Sequence, residues 1–408
     1  MSDSQFEQRR DEYLSVFTRR RLLQSAVGLG ALAAVSPVLA ACGSSGGGSA
    51  SSSAAASTAA STAGSASPSL GGALNFIGYP GEDAANVAKP FFEKNGITMN
   101  PSFIASPDEV LTKFKTGGKG EMDLIANNKD FQRNMVQSGT ELYAPLDLSK
   151  IPNQAGLFPI FQKGDWVYKD GNTYGVPVIW GDEPCTFTSK WQGPPAKYTD
   201  FADPKWAGEL CMVDDPVANT WLWAKSLGNA DPSRLTQAQL DAAIEAMTKT
   251  KPNIVAFAKN LGDQADILVR GDASMAIGGW AYQIVLAKEK GVELKAASPS
   301  TDGTYYWSDA YGIAVDAPHP DNAYAFINFM VSPESNAAIA TELGSAVTVV
   351  AAVDKLDPAT RSLYDYKIVE DPTGGVLASQ EVSPPAKAQG DIVGLPEWLK
   401  AWEAFKLA

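Results

Sequence analysis

Residues 304–315 read TYYWSDAYGIAV, in which a group of aromatic and acidic residues runs directly into an apolar strand. An aromatic ring face attracts a cation, and a carboxylate binds an ammonium group through a charge-assisted hydrogen bond. We therefore expect Trp307 and Asp309 to hold a small cationic group in a cleft between two lobes. The alternative interpretation is an ordinary strand whose aromatic side chains pack in a core.

The length and charge of the chain exclude several classes of protein. Its 408 residues are too many for one ordinary core and favour two domains or lobes. A net charge of −13 argues against nucleic-acid binding, because phosphates attract Lys and Arg. The one histidine, His319, lies between two prolines, and we expect no metal, no cofactor and no enzymatic activity. A secreted hydrolase with an Asp/Glu pair and an adhesive surface protein stay open as alternatives.

Residues 1–41 have the features of an export signal. Arg19, Arg20 and Arg21 precede a run of small apolar residues that ends in Leu-Ala-Ala at Cys42. The paired arginines resemble a twin-arginine signal, and the end of the run resembles a lipobox whose cysteine is lipid-modified. An uncleaved membrane anchor is the alternative. Residues 42–71 are rich in Gly, Ser and Ala and predict a flexible tether outside the cytoplasm.

The other two cysteines, Cys185 and Cys211, would then lie in an oxidising compartment. Two cysteines in such a compartment can pair, so we expect a disulfide between them. The alternative is two small buried apolar residues without a bond.

The rest of the chain alternates strands with helices. We expect strands at 73–77, 97–104 and 122–126, and helices at 84–95 and 131–138. This alternation predicts a parallel-type sheet with helices on both faces, which binds ligands at the carboxyl ends of its strands. A second α/β lobe follows, with acidic and aromatic residues again at its strand ends. Candidate site residues after strands are Tyr79, Glu82, Asn128, Asp130, Asp215 and Trp280; Asn128, Asp130 and Asp215 are also suited to helix capping.

Five segments occur in the order typical of one family: YGVPVIWG, the strand before Asp215, MAIGGWAYQIVLAKEKG, YYWSDAYGIAV and HPDNAYAFINFMVSPE. Over about residues 73–344 the chain resembles the spermidine/putrescine-binding proteins of polyamine ABC transporters, a group within the extracellular solute-binding proteins. The resemblance implies an α/β, two-lobed periplasmic-binding-protein fold with a hinge of crossing strands and an interlobe ligand cleft. Lobe one would comprise residues 72–178 and 310–350, and lobe two would comprise residues 179–309 and 351–408. The last of the five segments implies a helix that holds the sheet together.

The resemblance also implies a ligand site. An acid two residues after a tryptophan on the second crossing binds an amine in the family, which corresponds to Asp309 after Trp307. Three departures stand out: Ala218 occupies a position that is usually acidic, Glu82 replaces an aromatic residue, and Asn128 and Asp130 replace Ser and Tyr. The expected ligand-binding residues are Trp307, Asp309, Trp280, Asp215, Tyr79, Glu82, Asp130 and Asn128.

The implied role is capture of a small cationic solute, such as spermidine or putrescine, for an ABC permease and its ATPase. The protein would be a monomer without a cofactor, lipid-anchored to the outer face of the cytoplasmic membrane. Because of the three departures, a shorter cation, an opine, an amino-acid derivative or a sugar stays open as the ligand.

Overall fold

Two open sheets, one of six strands and one of five, form the framework of the computed structural model. The structure describes residues 70–104, 108–139, 141–371, 380–385 and 387–407. The predicted export signal, Cys42 and nearly all of the predicted tether lie outside the described residues.

The strands, in chain order, are β1 (Gly72–Gly78), β2 (Ile97–Phe103), β3 (Leu124–Asn128), β4 (Tyr168–Lys169), β5 (Asn172–Thr173), β6 (Val176–Asp182), β7 (Cys185–Thr188), β8 (Leu210–Val213), β9 (Ile254–Ala258), β10 (Met275–Ile277), β11 (Leu294–Ala297), β12 (Tyr306–Ile313) and β13 (Ala346–Val347).

The described α-helices are α1 (Lys89–Asn95), α2 (Asp108–Lys113), α3 (Lys129–Ser138), α4 (Pro159–Lys163), α5 (Pro216–Ser226), α6 (Gln237–Thr250), α7 (Leu261–Arg270), α8 (Gln283–Glu289), α9 (Pro320–Met330), α10 (Pro333–Leu343), α11 (Pro358–Arg361), α12 (Lys367–Glu370) and α13 (Leu395–Leu407). A π-helical turn at Phe114–Gly118 continues α2, and short 3-10 turns lie at Leu148–Lys150, Pro152–Gly156, Tyr198–Ala202, Pro204–Trp206, Lys251–Asn253 and Val350–Lys355.

The two sheets follow the same plan. The six-stranded sheet has the order β13-β6-β12-β3-β1-β2, and the five-stranded sheet has the order β11-β7-β10-β8-β9. β1 is parallel to β2 and β3, and β8 is parallel to β9 and β10. The strand that follows a crossing from the other sheet runs antiparallel to its neighbours: β12 in the first sheet and β7 in the second. The carboxyl ends of the parallel strands and the amino ends of β12 and β7 therefore face the space between two lobes.

Two of the connections between the lobes are short. β6 ends at Asp182, and β7 of the other sheet begins after only Glu183 and Pro184. The return connection leads from β11 into β12 at Tyr306. The predicted lobe boundaries at 178/179 and 309/310 fall inside β6 and β12, because both strands continue in the six-stranded sheet beyond those positions.

The C-terminal part of the chain packs on both lobes, whereas the sequence assigned all of it to lobe two. The rings of Tyr364 and Tyr366 lie 5.7 and 5.8 Å from that of Trp180 on β6 of the six-stranded sheet. Helix α13 instead buries Trp398, Trp402 and other residues in the core of the five-stranded sheet. The C-terminal part of the chain therefore contacts both lobes.

Helix α9 packs across the six-stranded sheet, as the sequence segment that contains it predicts. Its Phe326 ring stacks on Phe92 of α1 at 5.6 Å and meets Tyr311 of β12 edge-on at 5.5 Å. The helix thus connects the first part of the lobe with the strand that returns to it.

The helix predicted at 84–95 is shorter in the structure and begins at Lys89. Ala84 has a φ of 49°, which a right-handed helix does not allow. Pro90 lies in the first turn of α1, where a missing N–H group costs nothing, and marks the true start of the helix.

The predicted disulfide is wrong, because both cysteines are buried free thiols on opposite faces of one sheet. Strand β10 lies between their strands, and its Ala276 pairs with Cys211 on one side and with Thr186 on the other. Residues paired across strands point to the same face, so Cys185, next to Thr186, points to the opposite face.

We expect peptide mapping under non-reducing conditions to find Cys185 and Cys211 as separate thiols. Alkylation should be slow in the folded protein, because burial raises the pKa of both thiols and shields them from the reagent. It should be rapid in denaturant. A disulfide-linked peptide pair that joins the two residues would contradict the arrangement of the sheet.

Candidate ligand-binding cleft

A two-stranded ribbon forms the floor of the space between the lobes. β6 and β12 pair from Asp182 and Tyr306 onward, whereas β3 joins the sheet only at the level of Asp309, which pairs with Asn128. The paired residues beyond that level therefore extend from the sheet toward the second lobe. Trp307 lies in this extension, directly opposite Gly181.

Gly181 makes room for the Trp307 indole ring. A Cβ atom at residue 181 would lie 2.6 Å from Cζ2 of Trp307, which is closer than packed atoms approach. The ring also packs against the core of the five-stranded sheet and stays partly accessible. Its position thus depends on a glycine in the opposite crossing strand.

Asp309 lies at an irregularity in the same ribbon. It pairs with Ile179, but the next residue, Ala310, pairs with Pro177, so Val178 is left over in a β-bulge. The bulge is stabilised by Asn336 and Thr348, whose side chains donate to the Val178 carbonyl at 2.7 and 3.2 Å. Bulges change the direction of neighbouring side chains and occur often beside binding sites.

Glu82 and Asp309 form a first acidic group, because their side chains lie close enough for each to affect the pKa of the other. The Tyr79 N–H donates to Oε2 of Glu82 at 3.1 Å, and the Tyr311 hydroxyl donates to the Glu82 main-chain carbonyl at 2.6 Å. Burial raises the pKa of Glu82, and the nearby charge of Asp309 raises it further. Burial also raises the pKa of Asp309, while the Glu82 side chain acts in the opposite direction.

Asp215 and Glu183 form a second acidic group. Asp215 caps helix α5, since its Oδ1 accepts from the N–H groups of Val217 and Ala218 at 2.8 and 2.9 Å. Burial raises the pKa of Glu183 to about 8, while the nearby Tyr305 side chain acts in the opposite direction. The charge of Asp215 also acts on Glu183 and Tyr305, so these three side chains lie near each other.

Tyr79 lies between the two acidic groups. Burial raises its pKa most, and the charges of Asp309, Glu82 and Asp215 raise it further. The Asn128 side chain donates to its hydroxyl at 3.4 Å. Glu82 is buried, while the carboxylates of Asp309, Asp215 and Glu183 stay partly accessible. Within the described residues, none of the four forms an ion pair with a lysine or arginine.

Trp280 connects the lobes at another point. It follows β10 of the five-stranded sheet, and its indole N–H donates to the Gly344 carbonyl at 3.2 Å, at the end of helix α10 of the first lobe. The Tyr364 hydroxyl donates to the same carbonyl at 2.7 Å. Trp280 stays partly accessible and is placed as a wall of the cleft.

Asp130 differs from the other predicted acids because the protein already neutralises it. Lys129 and Arg133 lie 3.0 and 3.4 Å from its Oδ1, and the Lys129 side chain is only 2% exposed. Its other oxygen accepts from the N–H groups of Val382 and Ser383. This carboxylate therefore holds the segment at 380–383 in place, and we do not include it among the proposed ligand contacts.

Glu183 and Tyr305 are not among the ligand-binding residues predicted from the sequence. The signal for Glu183 was its position directly after a crossing strand, and Tyr305 directly precedes the other one. Their closeness depends on the pairing of β6 with β12, which no local pattern shows.

Other kinds of site find no support in the part of the chain that the structure describes. It contains no group of three or more His, Cys, Asp or Glu residues arranged to hold a metal ion. No described helix is both long and apolar enough to cross a membrane.

The fold and the cleft together define a two-lobed binding protein, and comparison with known proteins names its class. Residues 86–363 match the bacterial extracellular solute-binding proteins, and the chain belongs to this family. The chain is thus a binding protein and not an enzyme, and the predicted fold and resemblance are confirmed.

The relatives of the chain include polyamine-binding proteins. It is 25% identical over 283 residues to the spermidine/putrescine-binding periplasmic protein of Salmonella typhimurium, covering 67% of this chain and 78% of the relative.

Two solved structures show the same fold at low identity. The spermidine/putrescine ABC transporter substrate-binding protein of Streptococcus pneumoniae has a TM-score of 0.65 at 22% identity, with 82% of this chain and 98% of that chain covered. The Tp0655 lipoprotein of Treponema pallidum has a TM-score of 0.66 at 21% identity, with 82% and 100% covered.

Replacement of Gly181 by alanine should displace the Trp307 ring. We expect a loss of about 1–3 kcal/mol in unfolding free energy, because the added methyl group overpacks the ribbon. Tryptophan fluorescence should change with it. Gly193→Ala is the matched control, since a Cβ there meets no atom within 4 Å. Equal behaviour of the two variants would contradict the contact.

The ligand-free protein should lose stability as the pH rises from about 5 to 8. Burial raises the pKa of Asp182 to about 7 and that of Glu183 to about 8, above their values in the unfolded chain. At low pH both groups are neutral in the folded and in the unfolded chain. Once the pH exceeds their unfolded-state pKa, ionisation favours the unfolded chain, and stability falls until the pH passes the folded-state pKa. We expect a loss on the order of 2 kcal/mol, measured by chemical denaturation.

A smaller slope in the double variant Asp182→Asn/Glu183→Gln would assign this loss to the two carboxyl groups. A wild-type profile that stays flat or rises over the same range would exclude the effect.

Proposed function

We propose that this chain is the substrate-binding subunit of an ABC importer and binds a small organic cation with two or more amino groups, such as putrescine or spermidine. The observation that carries the proposal is the pair of acidic groups in the cleft, which lack a lysine or arginine partner within the described residues. Unpaired carboxylates in a desolvated place are costly unless a ligand supplies the missing charge.

In this proposal the two acidic groups bind different ammonium groups of one ligand. Asp309, with Glu82, accepts one of them, and Asp215, with Glu183, accepts the other. Trp307, Tyr79 and Trp280 cover the ligand, and aromatic faces favour a cation by about 0.5–2 kcal/mol per contact. Asn128 holds the Tyr79 hydroxyl in place. The names of the relatives support a polyamine as the ligand.

Glu183 takes the place of an acid that the sequence lacks. Ala218 stands where the polyamine-binding family has a second carboxylate, and in this protein its N–H donates to the Asp215 carboxylate that caps helix α5. The charge of Glu183 acts on the same groups from the crossing strand. The second acidic group therefore keeps two carboxyl groups, as a binding site for an amine requires.

The membrane part of the proposal rests on the sequence. The residues before Cys42 resemble a twin-arginine lipoprotein signal, and lipid on Cys42 would anchor the protein outside the cytoplasmic membrane. The Gly-, Ser- and Ala-rich tract would then act as a tether, so that the monomeric binding protein reaches the permease and delivers its ligand to it.

Calorimetric titration tests the ligand class. We expect putrescine or spermidine to bind, and 1,4-butanediol, which has the length of putrescine but no charge, not to bind. Asp309→Asn and Asp215→Asn should each weaken binding at least about 30-fold, because a lost partner of a buried charge costs about 2 kcal/mol or more.

Asp200→Asn is the control in the same titration, since Asp200 is an exposed aspartate of the second lobe. Unchanged affinity in both cleft variants would refute the site. Butanediol binding as tightly as putrescine would refute the cationic ligand and favour a neutral solute such as a sugar.

A further inference from the structure

The Tyr79 N–H donates to the Glu82 carboxyl group, and the Tyr79 hydroxyl accepts from Asn128, the strand partner of Asp309. The Glu82 and Asp309 carboxyl groups thus lie near each other, and they can share a hydrogen bond only if one of them carries a proton. Resting on the proposed function, we propose that the empty cleft keeps one proton on the Glu82–Asp309 pair and that the bound organic cation replaces this proton. Glu82 is then a specificity-determining residue, at a position that is aromatic in the resembled family.

The backbone holds Glu82 against Asp309. The loop after β1 closes with hydrogen bonds from Glu82 N–H to the Tyr79 carbonyl at 3.2 Å and from Ala84 N–H to the Gly81 carbonyl at 3.0 Å. Ala84 keeps a φ of 49°, which costs an alanine on the order of 1 kcal/mol and therefore indicates that the loop is firmly fixed. The Tyr311 hydroxyl fixes the Glu82 carbonyl from the sheet.

Asp309 is fixed equally well from the other side. Its strand pairs with β3 and β6, and the neighbouring β-bulge is satisfied by Asn336 and Thr348. Because the backbone is held on both sides, a shared proton relieves the repulsion between the two carboxyl groups without a change in the fold.

The groups that face the pair add negative charge or none. Asp83 follows Glu82 in the loop and acts on it, Tyr79 and Tyr311 face it with hydroxyl groups, and Asp215 acts on Tyr79 from the second lobe. Burial raises the pKa of Glu82, and the charge of Asp309 raises it further, so the proposal places the proton on Glu82. Within the described residues, neither side chain has a lysine or arginine partner.

Binding then becomes an exchange of cations. The ammonium group donates N–H bonds to both carboxylates, and the Glu82 proton leaves to the solvent. An alcohol or an amide cannot displace the proton, because it brings no charge, so the pair selects amines over neutral ligands of the same shape. Below the pKa of the pair, affinity should increase about tenfold for each unit of pH.

Calorimetry in two buffers of different ionisation enthalpy counts the released protons directly. For putrescine at pH 7, we expect the wild type to release about one proton more than Glu82→Gln. The glutamine amide can donate to Asp309 as the protonated carboxyl group did, so this variant should fold and still bind. Asp83→Asn is the matched control, because Asp83 is also buried but is not bonded to Asp309. It should release as many protons as the wild type.

The outcomes separate this inference from the proposed function. Binding of putrescine with equal proton release in the wild type and in Glu82→Gln overturns the shared proton and leaves the polyamine site standing. Absence of binding overturns the proposed function, and infrared spectroscopy of the empty protein then decides the inference. A C=O band of a protonated carboxyl group that Glu82→Gln removes supports the shared proton, and a band that the variant leaves unchanged overturns it.

Discussion

The backbone pairing of β6 with β12 is the constraint on which the rest of the cleft depends. The two strands stay paired as they leave the six-stranded sheet, so the connection between the lobes is a ribbon with its hydrogen bonds satisfied. Such a ribbon can bend through small changes in φ and ψ without losing these bonds, which suits a hinge. Trp307 and Asp309 lie within the ribbon itself, and their positions are therefore set by the same pairs that join the lobes.

The cleft also shows how a folded chain can keep acidic groups for a ligand. Asp130 represents the ordinary solution, in which Lys129 and Arg133 neutralise a buried carboxylate and the backbone at Val382 and Ser383 completes its hydrogen bonds. Asp215 caps the N-terminus of helix α5, and Glu183 lies near the Tyr305 side chain; within the described residues, neither has a lysine or arginine partner. Neutral donors reduce the cost of burial without cancelling the charge, which leaves the carboxylates able to attract a cation.

The sequence predicts those features that depend on local pattern and fails for those that depend on distant pairing. Alternating strands and helices, and the acidic and aromatic residues at strand ends, were enough to predict two α/β lobes and to select Trp307, Asp309 and Asp215. Asp130 looked equivalent, although its charge partners Lys129 and Arg133 are close in the chain. Its other partners, the N–H groups of Val382 and Ser383, lie about 250 positions away, and only the fold brings them together. The disulfide prediction failed for the same reason, since spacing along the chain does not show that β10 lies between the two cysteine strands.

In the proposed site, Glu183 replaces an acid that the resembled family has on the helix, and this replacement changes which parts of the protein the second acidic group connects. A carboxylate at residue 218 would lie on helix α5 and would contact the ligand from the second lobe alone. Glu183 instead follows β6 directly and lies near Tyr305, which directly precedes the other crossing strand. An ammonium group that binds Glu183 therefore lies next to both crossing segments. In the proposed site, the ligand therefore contacts the hinge at both acidic groups of the cleft, through Asp309 at one and through Glu183 at the other.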